Sequence, residues 1–178
     1  MSSDGLRRSS AILGSVFFLL LAPGTVAGLV PWWISGWRMQ APLLHFSPFR
    51  WVGVLLIAAG VPGLLDSFAR FALKGLGTPA PVFPTRHLVV SGLYRYVRNP
   101  MYVAIAAVIL GQGLLLGDVR VLEYGVLVSL GFHLFVLLYE EPVLRHTFGA
   151  EYQDFCVNVG RWVPRLSAWH GGERTPVV

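Results

Sequence analysis

Four long apolar runs, separated by short polar or proline-rich breaks, dominate the pattern of this chain. A helix that crosses the hydrocarbon core of a bilayer needs about 20 apolar residues, with roughly 17 to 25 tolerated. The runs Ala11 to Trp33, Trp51 to Leu73, Met101 to Gly117 and Val121 to Tyr139 meet or nearly meet that length. The first is interrupted at "APGT", where Pro23 and Gly24 predict a kink. The link "GDVR" between the third and fourth runs is too short for anything but a helical hairpin. Further on, Phe148, Tyr152, Phe155, Val159 and Trp162 recur at helical spacing, with Glu151, Gln153, Asp154 and Arg161 elsewhere on the turn. That spacing predicts an amphipathic surface helix over Pro142 to Val163. The pattern as a whole predicts an all-α integral membrane helical bundle of about four spans, a single domain over residues 1–178 with polar tails at Met1 to Ser10 and Trp169 to Val178.

Composition strengthens this reading. Of the 178 residues 54% are hydrophobic and only 13% charged, with a mean hydropathy of +0.62. A soluble domain carries about 25% charged residues, so this chain could not cover a globular surface. The excess of 14 Lys and Arg over 9 acidic residues stays interleaved with apolar sequence, which suits a bilayer rather than a nucleic acid. Cys156 is the only cysteine, which excludes an intramolecular disulfide and a cysteine-built metal site. Arg7 and Arg8 before "AILGSVFFLLLA" resemble a signal peptide with a small-residue site near "TVA". The apolar run continues past that site to Trp32 and Trp33, which fit an interfacial belt, so a retained span is the preferred reading.

Charge sets the orientation. With both termini cytoplasmic, eleven arginines and lysines fall on the inner side: Arg7, Arg8, Arg70, Lys74, Arg86, Arg95, Arg98, Arg145, Arg161, Arg165 and Arg174. Arg38, Arg50 and Arg120 fall outside. The positive-inside rule selects this arrangement of a multi-pass membrane protein, and a short chain high in Ala, Gly and Val reads as one of a bacterial cytoplasmic membrane.

Two polar segments then share the inner face. The first, "KGLGTPAPVFPTRHLVVSGLYRYVRNP", holds Pro79, Pro81, Pro84 and Pro100, which exclude one long helix. Locally, Asn99 reads as an N-cap and Pro100 as the first helical residue. A helix N-terminus beside Arg98 also makes an anion site. The second segment is "YEEPVLRHTFGAEYQDF", where Glu140 and Glu141 stand at the end of the fourth run. Carboxylates are disfavoured at a helix C-terminus and invite a cation. Pro142 alternatively starts a new helix with Glu141 in its cap or first turn, or both glutamates form a solvated rim. His133 lies two helical turns before Glu140, on the same face of a regular helix, and is either a packing residue or part of the site. Asp66 and Arg70, spaced i,i+4, predict a structural ion pair. Gln112, between Gly111 and Gly113, predicts a bond to a neighbouring helix. No P-loop, HExxH, GxSxG or GxGxxG pattern occurs.

The blocks "HLVVSGLYRYVRNPMY" and "YEEPVLRHTFGAEYQDF…VPR", in this order and some forty residues apart, resemble the isoprenylcysteine carboxyl methyltransferase family, to which phospholipid N-methyltransferases are related. The resemblance covers about Lys74 to Arg165 and implies a membrane enzyme that binds S-adenosylmethionine at the cytoplasmic side and methylates a lipid-like substrate. Carried over by position, it implies a cofactor pocket from segment 74–102, with His87, Leu88, Val89, Val90, Tyr94, Arg98, Asn99, Pro100, Met101, Tyr102 and Glu140. Glu141 belongs to the same acidic motif, and Arg98, Glu140 and Glu141 are the implied catalytic set. In this picture Arg98 or free backbone N–H groups hold the methionyl carboxylate, and Glu140 the ammonium or ribose hydroxyls. Tyr94 and Tyr102 flank the adenine or the sulfonium, the latter by cation–π attraction.

Two positions depart from the family. Its usual "RHP" is "RNP" here, so an imidazole role is lost at Asn99. The arginine that serves the prenylcysteine carboxylate in eukaryotic members aligns with Val136, which puts that substrate in question and leaves the cofactor positions intact. A carboxylate or thiolate acceptor needs no general base, whereas an amine needs one, with His133 or a glutamate as the candidate. A membrane reductase using NADPH and a non-catalytic scaffold or small transporter are the alternative readings.

Overall fold

The computed structural model describes Phe17, residues 19–73, Leu88 and residues 90–171, with side chains 71–73 excepted. The expectations placed on His87, Val89, the N-terminal part of the first run and most of the proline-rich segment lie outside these residues. All regular structure among the described residues is helical. Helix α1 is Leu19–Ser35, α2 is Pro48–Leu73, α3 is Pro100–Leu116 and α4 is Val119–Phe135. A wide turn, Val136–Glu140, then joins α4 without a break to α5, Glu141–Asn158. Pro48–Arg70 and the continuous helix Val119–Asn158 are long and apolar enough to cross a membrane, and α1 and α3 are shorter apolar helices.

Helix α3 is the centre of the bundle. Met101, Ala104, Ile105, Val108, Ile109 and Leu116 are buried along it, and Phe68 of α2, Ala27 of α1 and Val121 of α4 close the core around them. Lipid tails are as apolar as these side chains, so close packing and interhelical hydrogen bonds must hold such helices together. Glycines supply the closeness. A Cβ on Gly53 would lie 2.6 Å from the Gly111 carbonyl oxygen, and one on Gly60 would lie 2.9 Å from that of Ala104. Each pair of positions is two helical turns apart on its own helix, so the backbones of α2 and α3 meet along one seam.

Both wide helical turns stand at a fixed offset from a proline. The wide i→i+5 turn Thr25–Leu29 lies two residues before Pro31, and Val136–Glu140 lies two residues before Pro142. A proline lacks the N–H and crowds the carbonyl four residues back. Widening the turn relieves the crowding but leaves carbonyls without backbone donors. In α1 these are Val26 and Ala27, and neighbouring helices satisfy both: Tyr124 Oη donates to Val26 O at 2.9 Å and Gln112 Nε2 to Ala27 O at 2.7 Å. Gln112 also accepts from Trp37 Nε1 at 3.1 Å, so the expected bond to a neighbouring helix is present. The expected kink at Pro23–Gly24 is displaced to this turn, because Pro31 frees the carbonyls there while Gly24 keeps helical dihedrals (φ −62°, ψ −39°).

The "GDVR" link forms the expected hairpin between α3 and α4. Gly117 turns left-handed at φ 73°, and Asp118 caps α4 by accepting from the Arg120 N–H at 3.0 Å. Asp118 also accepts from Arg120 Nη2 at 2.9 Å and from Gln40 Nε2 at 2.7 Å, which ties the loop after α1 to the hairpin. Replacing Asp118 by Ala is expected to cost about 1–2 kcal/mol, the upper range for a lost cap. Hydrogen bonds from Arg120 hold the Asp118 carboxyl below its ordinary range. Its contribution is therefore full above the unfolded value of about 4 and fades as pH falls through the lower folded value. Thermal unfolding in detergent should show a gap between wild type and variant at pH 7 that closes in acid; a gap of equal size at both ends would contradict this.

The C-terminal helix differs from expectation. It does not begin anew at Pro142, because the preceding wide turn accommodates the proline within a continuous helix. It bends at Gly149 (φ 51°, ψ −120°) and ends at Asn158 rather than Val163. Val159 is extended (φ −123°, ψ 127°), and a Cβ on Gly160 would lie 2.7 Å from the Val163 carbonyl oxygen, so the chain turns sharply there. Tyr152, Phe155 and Val159 form a second buried cluster, backed by Leu88, Val90, Leu144, Phe148 and Trp169.

Candidate functional site

The chain after α5 runs back along the turn that precedes α3, and this return assembles the site. Arg98 N–H donates to Gly160 O, Arg165 N–H to Tyr96 O and Trp169 N–H to Arg95 O, each at 2.9 Å. Residues 95–98 are thereby strapped on one side by residues 160–169. A cleft opens on the other side, lined by Leu88, Tyr94, Arg98, Asn99, Val136, Glu140, Glu141, Leu144, Tyr152 and Phe155. Its enclosed volume is about 100 Å³. That is less than the roughly 300–1,000 Å³ occupied by drug-sized ligands, so it accommodates one end of such a molecule.

The two glutamates have unlike surroundings. Glu141 is 4% exposed and sits at the centre of three arginines. Arg161 grips it as a fork, Nε to Oε1 at 2.5 Å and Nη2 to Oε2 at 3.0 Å. Arg98 Nη1 approaches Oε1 at 3.2 Å and Arg145 Nη2 approaches Oε2 at 3.4 Å. A two-pronged arginine–carboxylate pair is both strong and geometrically restrictive, so Glu141 fixes the guanidinium of Arg98 rather than facing the cleft as an open charge. Glu140 has no arginine on it among the described residues. Its one hydrogen bond there is from Tyr102 Oη, 3.1 Å from Oε2. Its charge remains available to a cation in the cleft.

Arg98 complements it. One Nη group is spent on Glu141, while Nε is buried without a hydrogen-bond partner. Asn99 is buried at the N-cap position of α3, yet its side chain makes no cap bond. Nδ2 donates instead to Arg161 O at 3.2 Å, because the strap brings a carbonyl within reach and ψ of 56° departs from the extended geometry of an ordinary cap. The expectation of a capping Asn99 side chain is corrected accordingly, and Pro100 does take the first helical position. Burial, with the Glu140 carboxylate beside it, pushes the Tyr94 phenol well above its ordinary range. Tyr94 is thus a protonated hydroxyl on the cleft wall rather than a base.

Of the positions singled out in the sequence, Leu88, Tyr94, Arg98, Asn99, Glu140 and Glu141 line one cleft. Tyr102 stands behind Glu140 and stacks on Phe132 at a ring distance of 4.7 Å. Pro100 and Met101 are buried in the bundle, Met101 in its main core, and Val90 packs on the second cluster. His133 is not among the lining residues: its Nδ1 accepts from Trp162 Nε1 at 3.0 Å. The two-turn spacing from His133 to Glu140 does not place them together, because the wide turn between them rotates the helix face. Asp66 and Arg70 form the expected pair, with both nitrogen–oxygen distances 2.8 Å. Sequence reading missed Arg161, Arg145, Leu144, Tyr152 and Phe155 as neighbours of the site. Arg161 is twenty residues from Glu141, and only the return of the chain joins them; the usable signal was the amphipathic spacing of Tyr152 and Phe155.

The phospholipid methyltransferase family model matches residues 49–151, more than half of the chain. No curated protein and no solved structure matches it. The matched stretch contains α2, α3, α4 and both glutamates, along with Tyr94, Arg98 and Asn99 of the cleft wall. The chain therefore belongs to the phospholipid methyltransferase family, membrane methyltransferases related to the isoprenylcysteine carboxyl methyltransferases.

Proposed function

We propose that the protein transfers methyl from S-adenosylmethionine to a hydrophobic acceptor dissolved in the membrane, a carboxylate, thiol or amine, at the cytoplasmic face. One observation carries this reading. Arg98, whose Nε is buried without a hydrogen-bond partner, and Glu140, a half-buried carboxylate with no cation on it among the described residues, line one narrow cleft. An amino-acid end presents a carboxylate and an ammonium, and this pair of unmet groups fits both. The donor set therefore suits the methionyl end of the cofactor, with Arg98 holding the carboxylate, Glu140 the ammonium, and Tyr94 and Asn99 supplying further polar contacts.

When bound, S-adenosylmethionine supplies an electrophilic methyl group for in-line displacement. The residues of this chain do the positioning. Arg161 and Glu141 hold Arg98 in place, Tyr102 holds Glu140, and the strap of residues 160–169 keeps the wall carrying Tyr94 and Arg98 rigid. Fixing a donor and an acceptor in near-attack geometry is worth several kcal/mol of barrier. Val136, Leu144 and Phe155 make an apolar side that excludes water and suits a lipid-like acceptor. Val136 offers no charge to an acceptor carboxylate, which favours an acceptor other than a prenylcysteine.

The test is calorimetric titration of the purified protein in detergent with S-adenosylhomocysteine. Saturable binding is expected, weakened about tenfold or more in Glu140→Gln, since a hydrogen bond to a charged group contributes about 1.5–3 kcal/mol. Binding of equal strength by folded wild type and variant would remove Glu140 from the site. No binding at all would remove the cofactor assignment.

A further inference from the structure

A second cavity lies on the opposite side of the turn that carries Tyr94 and Arg98. It measures about 550 Å³ and is lined by Ala59, Pro62, Gly63, Asp66 and Arg70 of α2, with Gly92, Leu93, Arg95 and Tyr96 opposite. It shares no lining residue with the methyl-transfer cleft. Leu93, Arg95 and Tyr96 face this groove while Tyr94, Arg98 and Asn99 face the cleft, so the turn is a wall between two sites.

The groove has the polarity of a lipid. Ala59 and Pro62 are exposed on the span Pro48–Arg70, and with Gly63 and Leu93 they form an apolar floor. From Ala59 to Arg70 the helix rises about 16 Å, the depth of several acyl carbons below the head groups. The charges stand at the Arg70 end. Both Asp66 oxygens are taken by Arg70, so that pair contributes no net charge to the rim. Arg70 is seated over Gly92, which turns left-handed at φ 59°; a Cβ there would lie 1.9 Å from Arg70 Nε. Arg95 is a rim cation with no carboxylate partner among the described residues. Its Nε donates to Trp169 O at 2.8 Å, and its two Nη groups have no hydrogen bond or ion pair among the described residues. Tyr96 completes the rim with the half-apolar, half-polar side chain typical of a membrane interface.

We propose that this groove is a resident site for one anionic glycerophospholipid. Its acyl chain lies against Ala59, Pro62 and Gly63, and its phosphate meets the Nη groups of Arg95. The site is separate from that of methyl transfer, and its lipid is a brace rather than the methyl acceptor. Occupied, it supports from α2 the same turn that the C-terminal strap holds.

Native mass spectrometry of the full chain, released from detergent micelles doped with phosphatidylglycerol, tests this. A one-to-one phosphatidylglycerol adduct is expected, and phosphatidylcholine should be retained less. Inorganic phosphate should not displace the lipid. Arg95→Gln should lower retention about fivefold, the effect of one arginine on an anionic lipid. Ala59→Phe, which fills the floor at an exposed position, should lower it at least as much, and Arg95→Lys should preserve it. Equal retention in either lowering variant, equal retention of the two lipids, or displacement by inorganic phosphate would overturn the proposal. Affinity for S-adenosylhomocysteine, read on Ala59→Phe, should stay within about twofold of wild type because the two sites share no residue. Failure of the lipid site and failure of the cofactor reading are thus seen separately.

Discussion

Glu141→Gln is expected to destabilise the protein by about 3–5 kcal/mol, the usual consequence of removing one partner from a buried charge pair. The carboxylate pairs with three guanidinium groups at once, and Arg98 among them has only 10% of its side chain exposed. Without the negative charge, the largely buried Arg98 is left beside the half-buried Arg161 with no counter-charge from Glu141. The strap of residues 160–169 should loosen first, because the Arg161 fork is its charged side-chain anchor to the start of α5. Thermal unfolding in detergent should show a drop in midpoint. Limited proteolysis should show new cleavage between Asn158 and Trp169. An unchanged midpoint with an intact C-terminal segment would mean that Glu141 is a rim carboxylate after all, as one reading of the sequence allowed. The same variant should also weaken S-adenosylhomocysteine binding, through loss of Arg98 placement rather than loss of a direct contact.

Gly53→Leu is expected to produce the second large effect, by a different route. Even the first carbon of the new side chain would stand 2.6 Å from both the Gly111 carbonyl oxygen and the Leu115 amide nitrogen. Both are backbone atoms of α3 and cannot rotate away, so the helices must separate along the seam. Overpacking costs about 1–3 kcal/mol where side chains can adjust, and rigid neighbours place this case at or above the upper end. Separation would also remove the interhelical dispersion contacts that a bilayer cannot replace. The readout is the fraction of monodisperse protein recovered after size exclusion in detergent, with Gly28→Leu as the control. Gly28 has open space where a Cβ would go. Equal recovery of the two variants would show that α2 and α3 are not held by close backbone approach.

What could be read from the sequence followed from local rules. Apolar run lengths located α2, α3 and α4, since the bilayer fixes how many residues a span requires. The i,i+4 spacing of Asp66 and Arg70 pointed to the pair found, and the isolation of Gln112 among glycines to a bond with a neighbouring helix. Arg98, Asn99 and Glu140 stood out by local chemistry, a resemblance gave them cofactor roles, and the fold sets them around one cleft. What escaped was non-local. The third arginine on Glu141 arrives only because Gly160 reverses the chain, and nothing near Glu141 announces it. The Asn99 side chain was assigned to its own helix by a rule that holds for solvent-facing ends; here a carbonyl from residue 161 competes for it. His133 and Glu140 were counted onto one face with a period of 3.6, which assumes a regular helix through Val136.

The wide turn at Val136–Glu140 has a consequence for how this helix can change over time. Each such turn accommodates one more residue than a regular helix of the same rise, so it acts as an index shift between the segments on either side. In the Val119–Asn158 helix, the upstream half is aligned to α3 and its lipid neighbours, while the downstream half is aligned to three arginines and a cleft. The two halves need not share a rotational phase. A proline two residues downstream makes the shift inexpensive, because the bond that a regular helix would lose there is already missing. Membrane-facing and cleft-facing surfaces on one helix can therefore drift independently, each under its own constraint.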